Sequence, residues 1–285
     1  MKKIIFLSFV GFLLFLFSCG NKADTDIVKD VPQKEFDHLK EQIVALNTTL
    51  PGKVIVETKA KWWKYLLTGL ADAAGFFLAG GADENSPNKY SPVASACSVS
   101  TLVWTMLKSE KQTETKAMDD SSHLINDAEI ALSHVEGMGL LHNRVILELH
   151  EDYGDEIFHM SPAELLPLVA EQVSVESGGI VDDTEVLYAG QQEMVENTVN
   201  AFVTSSTVDE FIGKLSLSFP EKVALLEIVR VIFEGFDSID AISDNGNYNA
   251  SVQTIISESG IPSEAKHILN STASIANASA RLWID

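Results

Sequence analysis

Residues 62–82 read WWKYLLTGLADAAGFFLAGGA, and only Lys64 and Asp72 bring charge into the run. Gly69 and Ala73, Ala71 and Gly75, and Gly75 and Ala79 each stand four residues apart. In an α-helix that spacing stacks small side chains on one face, so a second backbone can come close. After a polar turn with Pro87 and Pro92, a second run keeps its side chains small at Ala94, Ala96, Cys97, Ser98, Ser100 and Thr101. The two runs predict a tightly packed helical hairpin, buried as the central pair of a bundle.

A competing reading makes residues 62–107 a membrane-active or self-assembling element, with Trp62 and Trp63 at an interface. The WW…DAAG stretch resembles glycine-rich segments of small bacterial membrane-active peptides. Asp72 in mid-segment and the serine-rich second helix argue against insertion.

Working outward, helical periodicity begins at Glu35. Phe36, Leu39, Ile43 and Leu46 are spaced by three and four before Pro51-Gly52 ends the pattern. VIVE at 54–57 is the one short strand-like run, and it has no evident partner. Ser121 or Ser122 opens a helix whose apolar face is Leu124, Ala128, Ala131, Leu132 and Val135, and GMG at 137–139 predicts a break or kink after it. Ser161-Pro162-Ala163-Glu164, Ser218-Phe219-Pro220-Glu221 and Thr207-Val208-Asp209-Glu210 each read as a capping box. Helices are expected at 183–204, 208–216, 220–242, 248–259 and 263–283. The fold class is all-α: a multi-helix bundle of about ten helices built on a small-residue central hairpin. The helical domain covers 35–285, with a subdivision allowed near 160.

The 285-residue chain carries a formal charge of −21. Removing residues 1–18 takes away Lys2 and Lys3 and no acid, which lowers it to −23. So acidic a body repels phosphate backbones and excludes nucleic-acid binding through a basic patch. It also repels anionic membrane surfaces, leaving membrane contact to a lipid. The cysteines are Cys19 and Cys97. Cys97 lies among small and apolar neighbours in VASACSVSTLVW, with no charge near in sequence to activate it, and is expected to be a buried structural thiol.

The N-terminus has the parts of an export signal. Lys2 and Lys3 form the positive region, Ile4 to Phe17 the apolar region, and the latter is shorter than the roughly 20 residues of a spanning helix. Leu16-Phe17-Ser18-Cys19 resembles the lipobox of a bacterial lipoprotein precursor, with Phe17 where a small residue is commoner. The resemblance implies that 1–18 is a cleaved signal peptide, that Cys19 is acylated on its thiol and its new amino group, and that 19–34 is a lipidated tether. Two or three acyl chains anchor stably where one does not. Gly20 after the cysteine resembles lipoproteins sent to the outer membrane.

Reaction centres are harder to find. His123, Asp127 and His134 share a helical stripe, but His134 lies about 16 Å from His123 along the axis, too far for one ion. His142, in GLLHN, sits three and four residues from Val145 and Ile146 and is expected to be a hydrogen-bonded core histidine. His150, Asp152, Asp155, Glu156 and His159 gather around Gly154 without a ligand pattern such as HExxH. GxSxG, GxxxxGK[ST] and CxxC are absent. Asp244-Asn245-Gly246-Asn247 lacks the acids of a calcium loop at its ends and is expected to be a helix stop with a left-handed glycine.

The expectation is therefore a lipid-anchored protein of the bacterial cell envelope, at the outer membrane, that binds an envelope protein, a glycan or a small ligand. Cys19 is its lipid-attachment residue. No catalytic, cofactor-binding or metal-binding residue is assigned. The alternatives are an envelope enzyme with a nonlocal His/carboxylate site, using His142 or the 150–159 cluster, and membrane action through the hairpin.

Overall fold

The computed structural model describes residues 33–50, 59–79, 92–109, 135–178, 188–219, 222–238 and 242–282. The signal segment, Cys19, most of the tether, VIVE at 54–57, and the stripe of His123, Asp127 and His134 lie outside the described residues. Within them are ten α-helices and no strand: α1 Gln33–Thr48, α2 Lys59–Leu78, α3 Pro92–Ser109, α4 Val135–Tyr153, α5 Pro162–Glu176, α6 Tyr188–Val203, α7 Val208–Ser218, α8 Val223–Asp237, α9 Ile242–Glu258 and α10 Ser263–Leu282. A 3-10 helix, Gly154–His159, joins α4 to α5. The protein is an all-α multi-helix bundle.

The caps fall largely where their chemistry asks for them. Ser161 and Glu164 make the reciprocal box: the Glu164 carboxylate accepts from the Ser161 backbone N–H at 2.9 Å, with Pro162 at the first helical position. Thr207 accepts from the Glu210 N–H at 3.1 Å, while the Glu210 carboxylate reaches back to the Ser206 N–H at 2.7 Å. For the expected box at 218–221, Pro220 and Glu221 lie outside the described residues. Helix α8 begins at Val223, after Lys222, without a side-chain cap.

Two glycine signals read differently in three dimensions. GMG does not break its helix, because α4 runs through it from Val135 to Tyr153. A Cβ on Gly139 would stand 2.7 Å from Ala278 Cβ and 2.8 Å from the Ser274 carbonyl oxygen. The glycine thus serves contact between α4 and α10. Gly246 is no helix stop either: it lies inside α9, and the left-handed glycines among the described residues are Gly154 and Gly178. A mid-helix glycine costs about 1 kcal/mol against alanine, which tertiary packing overrides.

At the centre, α2 packs on α3 and on α10, and α10 packs on α4. Helices α5 and α6 close over α3, α9 lies along α10, and α1 covers α8 and α9. The described side chains of the hairpin, 68–79 and 92–103, are buried except for a half-buried Leu102. A Cβ on Gly75 would meet Val99 Cγ2 at 2.9 Å and the Ser95 carbonyl oxygen at 3.1 Å, so α2 and α3 touch nearly backbone to backbone. Around this small-residue centre lie the large side chains, among them Phe36, Phe211, Phe233 and Phe236. No helix among the described residues is long and apolar enough to cross a membrane.

Candidate functional site

Where α2, α3, α4 and α10 meet, the core turns polar. Asp72, which interrupts the apolar run of α2, is fully buried. Its Oδ2 accepts a hydrogen bond from Ser100 of α3 at 2.8 Å and another from Ser279 of α10. From α4, His142 brings its Nε2 to 3.7 Å from the same oxygen and is itself fully buried. Asp72 Oδ1 and His142 Nε2 meet no hydrogen-bond partner.

The orientation of the imidazole is set by the next residue. Asn143 donates its Nδ2 to the Ala278 carbonyl at 3.0 Å, since that carbonyl can only accept. Its Oδ1 is thereby turned to His142 Nδ1 at 2.9 Å, and Nδ1 must carry the proton. In the neutral ring Nε2 is then a lone pair aimed at a carboxyl oxygen. Cys97 lies alongside, its thiol donating to the His142 carbonyl at 3.6 Å.

Burial dominates the electrostatics. It pushes the Asp72 carboxyl well above the usual carboxylate range, against the lowering effect of the Ser279 and Ser100 hydroxyls. Burial also pulls His142 down to about 4, against the Asn143 side chain and the Ala96 carbonyl, which favour the charged ring. The Cys97 thiol is pushed up chiefly by burial, so it is not a nucleophile at neutral pH.

Of the residues that the sequence singles out, the structure joins His142, Cys97 and Ser100 at this point and confirms His142 as a hydrogen-bonded core residue. It leaves the 150–159 group elsewhere, about 12 Å or more along α4 at its other end. There His150 Nε2 stands 3.8 Å from Asp155 Oδ1, and Asp152, Asp155, Glu156 and His159 are exposed. Among the described residues no group of three or more His, Cys, Asp or Glu could hold a metal ion. Sequence reasoning missed Ser279 and the role of α10. A signal was present: Ala265, Ile268, Leu269, Thr272, Ala273 and Ala276 recur at spacings of three and four, the same pattern of largely small residues that marks the hairpin.

Comparison with protein-family models, with curated proteins and with solved structures finds no match to this chain.

Proposed function

We propose that this protein is a lipid-anchored component of the bacterial cell envelope, held at the outer membrane through Cys19, that acts by binding an envelope protein or a glycan. The observation that supports binding over catalysis is the sealing of the Asp72–His142 pair, in which both side chains have 0 % exposure. A general base must reach a substrate proton within hydrogen-bond distance and be poised near the working pH. His142 does neither, at about 4 and behind four helices. The buried faces of α2 and α3 speak against membrane action in the same way, since an inserting hairpin needs its apolar surface free. Among the described residues, the outer surface of this strongly acidic chain is then the part open to a partner.

Two measurements test this. Metabolic labelling with a fatty-acid analogue and mass spectrometry should find an acylated N-terminal peptide beginning at Cys19, and Cys19→Ser should abolish it. An unmodified N-terminus would overturn the anchor. Photo-crosslinkers at Leu217 and Val175, 84 % and 64 % exposed, should trap one discrete protein or glycan in intact cells. Adducts to lipid alone would overturn the binding reading.

A further inference from the structure

We propose that Asp72 and His142 hold one proton at the centre of the bundle, carried by Asp72, and that the packing of α2 and α3 on α4 and α10 is linked to its retention. The argument starts from the donors. Asp72 Oδ2 has two hydroxyl donors, whereas Oδ1 has none and is buried. An ionised carboxylate here would leave a bare anionic oxygen in a dry core, a costly state. The neighbouring imidazole does not relieve it, because Asn143 holds the Nδ1–H away and leaves a lone pair towards Asp72. Two lone pairs at 3.7 Å repel until a proton enters the pair. A second proton would charge the imidazolium in the same dry place, so one is the stable number.

Among the described residues, the surroundings supply no other charge to change that count. Helix α3 presents Ser100 and the un-ionised Cys97, and α10 presents Ser279. Helix α6 contributes the uncharged Gln191, bonded to Ser95 at 2.8 Å. At the start of α8, Lys222 is tied to the Leu78 carbonyl at 2.6 Å, more than a helical turn from Asp72. On α4, Arg144 turns away to Glu176.

The linkage follows in sign. The raised Asp72 stabilises the fold fully in acid and less as pH rises; the lowered His142 stabilises it above about 6.5 and less as pH falls towards about 4. Between those values the two slopes cancel, because the folded and unfolded pairs each hold one proton. Above 6.5 the unfolded pair holds none, and only the decline from Asp72 remains. Up to the ordinary thiol value of 9.0, above which buried Cys97 adds its own proton, folding there takes up one proton and the folding constant loses a factor of about ten per pH unit. In an envelope protein, whose medium sets its pH, this makes the bundle sensitive to alkali; only that consequence rests on the proposed location.

The test is a denaturant titration of the purified protein at a series of pH values above neutral, wild type against Asp72→Asn. The wild type should lose one tenfold step per pH unit that the isosteric amide does not, and parallel profiles would overturn the proposal. Should the variant fail to fold, infrared spectroscopy of the wild type decides. A protonated carboxyl stretch at neutral pH that shifts on isotopic labelling of aspartate is expected, and its absence would overturn the proposal equally.

Discussion

Replacing Gly139 and Gly213 by alanine, one at a time, should move stability in opposite directions. Both residues lie inside helices, α4 and α7, and neither has a left-handed backbone. In each, alanine recovers about 1 kcal/mol of helix propensity. At Gly213 nothing stands within 4 Å of the new Cβ, and the position is exposed, so that gain is realised in full. At Gly139 the Cβ would stand 2.7 Å from Ala278 Cβ, whereas carbon atoms pack best at about 3.5–4.0 Å. Ala278 has no rotamer to yield, and the Ser274 oxygen at 2.8 Å belongs to the backbone. Helices α4 and α10 must therefore separate, which strains the Asn143–Ala278 bond and the Ser279 contact with Asp72. Overpacking of this kind costs about 3 kcal/mol at the upper end of its usual range, for a net loss of about 2 kcal/mol at Gly139. In a chain of this size 1 kcal/mol is worth about 2–4 °C of melting temperature. Thermal melts followed by far-ultraviolet circular dichroism should thus show Gly139→Ala falling by about 4–8 °C and Gly213→Ala rising by about 2–4 °C. A Gly139→Ala protein that melts at or above wild type would refute the close contact of α4 with α10.

Two further outcomes are expected. In a form that begins at Gly20, Cys97 is the one cysteine; buried and held protonated, it should react with a maleimide only at the rate of unfolding, and rapid labelling in native buffer would contradict its placement. The Tyr248 hydroxyl lies 3.0 Å from both the Ile232 carbonyl and Asn47 Oδ1, so Tyr248→Phe should cost about 1 kcal/mol, read as a lower urea midpoint, and an unchanged midpoint would show that it does not hold α1 to α8 and α9.

Much of the architecture is legible in short windows of sequence because it depends on neighbours along the chain. The Ser161 box needs only residues 161–164, and the burial of Phe36, Leu39 and Ile43 follows from their spacing on α1. The hairpin is legible for the same reason, since small residues four apart present one close-packing face. GMG is misread in a window because glycine has two uses, a turn and a tight contact. Which one applies depends on what stands opposite, and for Gly139 that is α10, far along the chain.

The sequence by itself determined the helical class, the hairpin, the buried nature of His142 and Cys97, and the strongly acidic balance. Each is carried by composition or by periods of three and four residues. Only the tertiary structure decided what Asp72 is. In sequence it is a polar interruption in an apolar helix; in the fold it joins His142 of α4, Ser100 of α3 and Ser279 of α10. The physical reason is that a buried carboxyl must find its donors and its proton wherever the packing brings them. Those partners sit on three other helices, one of them 207 residues away, and no local pattern encodes their meeting.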